Sequence, residues 1–342
     1  MNTIPGWHRI VLLACCTIAA CTGADAKPAR QAKLADVLGS MSEIRLEENS
    51  DVVNVSPRVY VDGRGSFLVG DSKENQVRVY SASGALQRHF GRQGDGPGEF
   101  NFISGVARLP SGDVVVSDMG GMITVFDSLG AKVRHTLQLP ILPMSNLLVL
   151  DDSHILVTGL LRTREGPRVH IVELPSGKVT RSFFAPPKPS PGLESTYKYT
   201  GGVSVAIHGD TAAAIFSLAD TVYLLGLDGR PRGKLPLRSG FYRQLTKPTP
   251  LNVPPPVLDA WNDSFSMLSR IFWAPDGSFY VTYFDRVDHE PAWRWVHLAR
   301  NGTGLFEVRD APMLLGLAPD SSLIFMKPGS DLPNVWSRAK VR

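Results

Sequence analysis

The chain has 342 residues, with 36 lysines and arginines against 32 aspartates and glutamates, and a formal net charge of +4. This near balance, without any run of five basic residues, argues against nucleic-acid binding, because such proteins concentrate positive charge in a patch or stripe. All 3 cysteines fall within the first 21 residues, so the rest of the chain is predicted to have neither a disulfide nor a thiolate metal site.

The first 20 residues have the features of a signal peptide. Residues 1–9 contain one cation, Arg9, and no acidic residue, and residues 10–20 are apolar and end in small side chains. A helix over residues 10–20 would span about 16 Å at ~1.5 Å per residue, about half of a bilayer core. The segment therefore predicts export and not a membrane-spanning helix.

Residues 18–21, Ile-Ala-Ala-Cys, resemble the lipobox of bacterial lipoproteins, in which the cysteine is acylated and becomes the first residue. The resemblance implies a lipid anchor on Cys21, and Thr22 after it resembles the sorting pattern for the periplasmic face of the outer membrane. The alternative is cleavage after Ala26, which would discard Cys21. Residues 21–40 are mostly small or polar and are predicted to form a flexible tether.

From residue 41 onward the chain repeats one pattern of strand, polar turn, strand and glycine. Three of the closing glycines are Gly84, Gly130 and Gly177, at intervals of 46 and 47 residues. A period of about 40 to 50 residues with strand pairs in each copy is typical of β-propeller blades. Stacked blades bury surface against their neighbours, so a propeller of this length needs no single central core.

Six strand-turn-strand units predict an all-β, six-bladed β-propeller over residues 41–342, with four antiparallel strands in each blade. The units cover residues 59–69, 105–116, 147–157, 203–215, 271–281 and 315–325. The last unit has too little chain after it for a fourth strand, whereas residues 42–47 alternate polar and apolar side chains. We therefore expect this early segment to complete blade 6 and close the ring, which removes a free sheet edge.

One stretch carries a family signature. Residues 90–100 contain Phe-Gly and Gly-Pro-Gly-Glu-Phe, and they are followed by Gly-Val-Ala at 105–107, Asp118 and Ile-Thr-Val-Phe at 123–126. This order resembles the NHL repeat over about residues 45–130, whereas later units keep only the strand pattern. The resemblance implies a bacterial six-bladed propeller lipoprotein of the NHL-like group, and hence a ligand-binding, protein-binding or scaffolding module of the cell envelope.

The turns after each second strand and the connections between blades share one face of the predicted ring, where function is expected to lie. The longest connection, residues 236–266, exceeds the ~12 to 15 residues of ordinary loops and holds prolines at 254–256, which favour extended backbone. It is predicted to be either a lid or partner-binding platform, or an insertion whose aromatic side chains pack on the rim.

Cationic and aromatic side chains on this face predict a site for an anionic small ligand, an acidic glycan or the carboxylates of an envelope protein. Guanidinium groups bind carboxylates in a bidentate manner and stack on aromatic rings. Solvated loop charges are the alternative. The candidate residues are Arg92, Arg162, Arg164, Arg243, Arg286, Tyr242 and Trp261.

Four carboxylates on the same face give a second hypothesis. Six-bladed relatives that are hydrolases or lyases hold calcium or zinc on the ring axis, and this resemblance would assign metal ligation to Asp71, Asp118, Asp220 and Asp285. Turn carboxylates that bind neighbouring backbone amides are the alternative. The sequence contains neither His-Glu-x-x-His nor Gly-x-Ser-x-Gly. The favoured prediction is a monomeric binding module without a cofactor, and the other is a calcium-dependent or zinc-dependent enzyme.

Overall fold

The computed structural model describes residues 27–55, 57–163, 166–287 and 289–342. In these ranges six antiparallel sheets of four strands, one of them extended by a fifth strand, form the blades of a six-bladed β-propeller. The predicted fold class is confirmed. The predicted signal peptide and Cys21 lie outside the described residues. Within these four ranges, no helix is both long and apolar enough to cross a membrane.

The first half of the described chain supplies blades 1 to 3. It opens with β1 (Arg30–Ala32), helix α1 (Leu34–Val37) and β2 (Ser42–Arg45). Blade 1 contains β3 (Pro57–Val61), β4 (Phe67–Asp71), β5 (Gln76–Tyr80) and β6 (Leu86–Phe90). The connection that follows contains the parallel pair β7 (Arg92–Gln93) and β8 (Glu99–Phe100). Blade 2 contains β9 (Ile103–Arg108), β10 (Val114–Asp118), β11 (Met122–Phe126) and β12 (Val133–Gln138). Blade 3 contains β13 (Ile141–Val149), β14 (His154–Leu161), β15 (Val169–Glu173) and β16 (Val179–Phe183).

The second half supplies blades 4 to 6. Helix α2 (Glu194–Thr200) precedes blade 4, which contains β17 (Val203–His208), β18 (Thr211–Phe216), β19 (Thr221–Gly226) and β20 (Pro231–Pro236). Helix α3 (Pro255–Asn262) precedes blade 5, which contains β21 (Met267–Trp273), β22 (Phe279–Val287), β23 (Glu290–Leu298) and β24 (Gly304–Val308). Blade 6 contains β25 (Leu314–Leu317), β26 (Leu323–Met326) and β27 (Val335–Ala339). The upper face of the ring carries the connections between blades, and the opposite face is the lower face. The first strand of each blade is innermost and runs from the upper face to the lower face.

The repeated glycines occupy the turns between third and fourth strands. Gly84, Gly130 and Gly177 have φ angles of 92°, 73° and 70°, in the region that favours glycine. A Cβ atom at Gly84 would overlap the carbonyl oxygen of Arg45, and one at Gly130 would overlap the ring of Phe90. The period therefore marks a turn that needs glycine for its backbone conformation, and at these two positions also for the close approach of the adjacent blade.

The ring is closed by β2, which pairs antiparallel with β27 and places Ile44 opposite Trp336. Both side chains are buried, and the ring of Trp336 meets the ring of Phe67 in blade 1 edge-on at 5.3 Å. The prediction that an N-terminal segment completes blade 6 is confirmed. The two ends of the propeller are thereby held in one sheet, whose core also contacts blade 1.

The prediction of a flexible tether over residues 21–40 is wrong for its second half. Strand β1 pairs in parallel with β24 and forms a fifth, outer strand of blade 5. Ala29, Val37 and Leu38 are buried, and the last two pack into the core between blades 5 and 6. Strand pairing uses backbone N–H and C=O groups, so a segment of mostly polar composition is able to cover the free edge of a blade.

The long connection between blades 4 and 5 contains a helix, so the prediction of extended backbone through its prolines is wrong after Pro254. Pro254 precedes α3 with extended backbone, and Pro255 occupies the first helical position, where the missing N–H would have no partner within the helix. Trp261 near the end of α3 packs against Phe265, with ring centroids 4.9 Å apart. Both rings belong to a buried core shared with blades 3 and 4, as expected for an insertion whose aromatic side chains pack on the rim.

Candidate functional site in the axial channel

Two of the three predicted loop arginines of blades 1 to 3 are described by the structure, and both are bound to groups of the protein. Arg92 forms an ion pair with Glu99 at 2.7 Å in the connection between blades 1 and 2. Arg162 donates from Nη2 to the carbonyl oxygen of Gly120 at 2.6 Å and so links blade 3 to blade 2. Arg164 lies outside the described residues. Arg92 therefore stabilises the connection between blades 1 and 2, and Arg162 holds blade 3 to a turn of blade 2.

A second group of predicted residues meets at the upper end of blade 5. Arg243 lies 3.4 Å from the carboxylate of Asp285 and donates to the carbonyl oxygen of Asp263 at 2.7 Å. Arg286 lies 3.6 Å from the carboxylate of Asp263. Asp285 is buried and also binds Arg294 at 2.6 Å. The structure thus brings Arg243, Arg286 and Asp285 together, but each cation already has a carboxylate beside it.

The two predicted aromatic side chains serve packing. Tyr242 meets Tyr283 edge-on at 5.7 Å, and burial raises the pKa of the Tyr242 hydroxyl. Trp261 is only 8% exposed and donates from Nε1 to the carbonyl oxygen of Lys247 at 3.0 Å. Both rings hold the connection between blades 4 and 5 against the blades beneath it.

The predicted metal ligands are engaged in turns and side-chain pairs. Asp71 is completely buried, accepts two backbone N–H groups of the following turn at 2.9 and 3.0 Å, and lies 3.4 Å from Arg78. Asp118 accepts a backbone N–H from the residues before β9 at 3.0 Å. Asp220 accepts from the side-chain amide of Gln244 at 2.7 Å. In the described parts of the chain no three His, Cys, Asp or Glu side chains come together as a metal site, so the residues present do not fit an axial metal.

The ring encloses an axial channel of about 260 Å³, lined by the innermost strands of all six blades. Two arginines line it, Arg58 of β3 and Arg270 of β21. Apart from Tyr60 and the two serines Ser104 and Ser204, the other described lining residues are apolar side chains or glycine, and none is an aspartate or glutamate. The channel therefore carries positive charge without a lining carboxylate.

The two arginines occupy equivalent positions in their strands. Arg58 is three residues before Val61, and Arg270 is three residues before Trp273, where β3 and β21 end at the lower face. Blades 1 and 5 flank blade 6 in the ring, so the two cations approach the axis from either side of one blade. Their charges are close enough for that of Arg58 to lower the pKa of Arg270.

Both guanidinium groups lie in surroundings that disfavour their charge. Burial, and then the charge of Arg58, lower the pKa of Arg270 to about 10. Burial also lowers the pKa of Arg58, and the carboxylate of Asp71 partly offsets this effect. The lowered pKa of Arg270 still lies well above neutral pH, so the channel holds two positive charges under ordinary conditions.

The protein supplies few acceptors for these cations. Arg270 donates from Nη1 to the carbonyl oxygen of Leu315 at 3.3 Å. Among the residues that the structure describes, the side chain of Arg58 has no hydrogen-bond or ion-pair partner. Because each guanidinium carries five N–H donors, most of these donors have no acceptor among the described residues. The arrangement is suited to binding an anion on the axis.

Arg58 and Arg270 are not among the residues predicted from the sequence, although each directly precedes an apolar run that identified an inner strand, residues 59–61 and 271–273. A comparison of the six inner strands with one another would have identified these two arginines. Among the described lining residues, only those of blades 1 and 5 include a charged side chain, whereas Gly105 and Leu147 line the channel from blades 2 and 3. A charged residue in an otherwise apolar strand indicates a candidate site residue once the strand is known to face the axis.

Comparisons with known proteins are consistent with this architecture. No protein-family model matches the chain, and no curated protein matches its sequence. The structure is similar to a member of the DUF4221 family from Bacteroides vulgatus, with a TM-score of 0.65 and 12% identity over 90% of this chain and 97% of the other. It is also similar to a protein from Bacteroides fragilis described as exported, with a TM-score of 0.61 and 12% identity over 93% and 99% of the two chains. At such identities the likeness concerns the fold, and the resemblance to the NHL repeat stays a prediction.

Proposed function

We propose that the protein is an exported binding module of the cell envelope, anchored through acylated Cys21, whose axial channel binds a small anionic ligand. The observation that carries the proposal is the convergence of Arg58 and Arg270 in a channel whose described lining has no carboxylate. The NHL-like stretch and the lipobox-like residues 18–21 support the envelope assignment. The similar fold of the Bacteroides fragilis protein described as exported supports export.

The electrostatics of the channel favour ligand binding over a structural role for the two arginines. A half-buried cation with too few acceptors destabilises a fold, because its lost hydration is not replaced by the protein, and for Arg58 the carboxylate of Asp71 offsets this loss only in part. Arg58 and Arg270 both have lowered pKa values for this reason. A bound oxyanion would supply the missing acceptors and the opposite charge in a site partly shielded from water. Groups perturbed in this way inside a cleft are typical of functional sites.

Anion binding is tested by thermal unfolding of the mature protein in rising acetate or inorganic phosphate, at an ionic strength kept constant with sodium chloride. At about 100 times Kd, binding adds about 2.7 kcal/mol to the free energy of unfolding and raises Tm by roughly 5 °C. Arg58→Met and Arg270→Met should abolish this rise while melting at or above the wild-type temperature without ligand. Arg92→Met is the matched control, because Arg92 is exposed and paired with Glu99, and it should keep the full response. An equal response in all four proteins would contradict the proposal, as would no response in the wild type.

The lipid anchor has its own test. In cells fed a labelled fatty acid, the wild-type protein should carry the label and sediment with membranes. Cys21→Ala should lose both properties, whereas Cys16→Ala, in the same apolar segment, should keep them. If export proceeds with cleavage after Ala26 instead, the wild-type protein will be unlabelled and soluble, and the anchor is excluded.

A further inference from the structure

We propose that the ligand of the axial channel is an amphiphilic anion, with one oxyanion group between Arg58 and Arg270 and a compact apolar body, aromatic or branched, below them. This inference deepens the proposed function and rests on it. It follows from how polar and apolar side chains are distributed along the channel axis.

The cations and the apolar side chains occupy different heights. Every inner strand runs toward the lower face, and the strands of blades 1 and 5 end three residues beyond their arginines, at Val61 and Trp273. At a rise of ~3.3 Å per residue, about 10 Å of strand lies between the Cα atom of each arginine and the lower rim. A body of that length would lie entirely within the ring.

Apart from Tyr60, two residues beyond Arg58, the described lining of the lower part of the channel is apolar. Val61, Ile207, Phe272, Trp273 and Leu317 line it from blades 1, 4, 5 and 6. Trp273 is held in place by Phe279, with ring centroids 4.7 Å apart. Its indole Nε1 has no hydrogen-bond partner among the described residues. This surface favours an apolar group, because contact with it removes apolar area from water.

The size of the channel limits the ligand. A volume of about 260 Å³ lies just below the ~300 to 1,000 Å³ of sites for drug-sized ligands. The channel is therefore suited to a single small molecule, and an acidic glycan, one of the ligands first considered for the loop arginines, would exceed it. An oxyanion held by guanidinium groups with an apolar body beneath it satisfies both the charge and the volume.

The test compares four small molecules by calorimetry on the mature protein. Acetate supplies only the oxyanion, 3-phenylpropionate adds an apolar body, and 3-phenylpropanamide keeps the body without the charge. We expect 3-phenylpropionate to bind at least tenfold more tightly than acetate, and 3-phenylpropanamide to bind at least tenfold more weakly than 3-phenylpropionate. Phenyl phosphate is the fourth probe, and tighter binding by it would support the amphiphilic anion with a phosphate head.

Variants then assign the two parts of the ligand to the two parts of the channel. Ile207→Thr combined with Leu317→Thr should reduce the preference for 3-phenylpropionate over acetate to less than threefold and leave acetate binding unchanged. Arg58→Met and Arg270→Met should each weaken both anions, with folding of every variant checked by circular dichroism and thermal unfolding.

The possible failures are distinguishable. If acetate and 3-phenylpropionate bind equally and both depend on Arg58 and Arg270, the apolar body is excluded while the proposed function stands. If 3-phenylpropionate binds the arginine variants as tightly as the wild type, its oxyanion does not lie between these cations and the inference is overturned. If none of the probes binds the wild type, both this inference and the proposed function are contradicted.

Discussion

Replacing Ile44 by aspartate is expected to lower the free energy of unfolding by about 4 kcal/mol or more, because it opens the ring at its closing strand. Ile44 is 4% exposed and lies opposite Trp336 in the pair of β2 with β27. Loss of a buried isoleucine costs about 2 to 5 kcal/mol, and an unpaired buried carboxylate adds to this. Urea unfolding followed by tryptophan fluorescence measures the change.

Glu43→Gln is the matched control on the same strand. Glu43 forms an ion pair with Lys327 at 2.5 Å, but the two side chains are 40% and 43% exposed, respectively. Exposed ion pairs contribute about 0 to 1 kcal/mol, so this variant should unfold within about 1 kcal/mol of the wild type. An Ile44→Asp protein as stable as the control would show that β2 is dispensable for the ring.

Acidification from pH 7 to pH 4 is expected to remove about 6 kcal/mol of stability through two buried histidines. Burial lowers the pKa of both His170 and His297 to about 4, from 6.5 in an unfolded chain. The unfolded state therefore takes up the protons first, so the stability is complete above pH 6.5 and is lost as pH falls from 6.5 toward 4. A shift of this size corresponds to about 3 kcal/mol for each group. Urea unfolding at intervals of half a pH unit would trace the loss.

The contacts of both histidines suit the neutral ring. His170 lies 2.8 Å from the hydroxyl of Ser182 through Nδ1, and His297 lies 2.9 Å from that of Ser278 through Nε2. The double variant His170→Gln, His297→Gln should be less stable at pH 7 but should lose much less between pH 6.5 and 4. His208→Gln, at an exposed strand end, should leave the pH profile unchanged. An unchanged profile in the double variant would assign the acid loss to other groups.

The blades could be predicted because their signals are local. Each inner hairpin joins an apolar run to a turn such as Asp62-Gly63 or Pro275-Asp276-Gly277, and the glycine period marks a turn with positive φ. The closing strand was also predictable, since residues 42–47 have the alternation of an outer strand and blade 6 lacks one. Strand β1 was not, because it pairs through its backbone with β24 and its side chains give no strand pattern.

For the candidate site, the sequence predicted the type of ligand and of binding group, but not the residues that form the site. An anionic ligand and guanidinium groups were expected, but the chosen arginines bind neighbours such as Glu99 and Asp263 that sequence reading did not pair with them. Arg58 and Arg270 are separated by most of the propeller in sequence and meet only because the ring brings blades 1 and 5 to one axis. The small number of acceptors around them depends on every side chain that lines the channel, which no local pattern reveals.

The central claim is that the anion binds on the axis, between Arg58 and Arg270. The most direct measurement is a crystal of the mature protein soaked in sodium selenate, with diffraction recorded at the selenium absorption edge. We predict the strongest anomalous peak inside the ring, within hydrogen-bond distance of both guanidinium groups, and its loss in Arg270→Met. A channel without a peak, with selenate instead at Arg92, Arg162 or Arg243 on the upper face, would contradict the account.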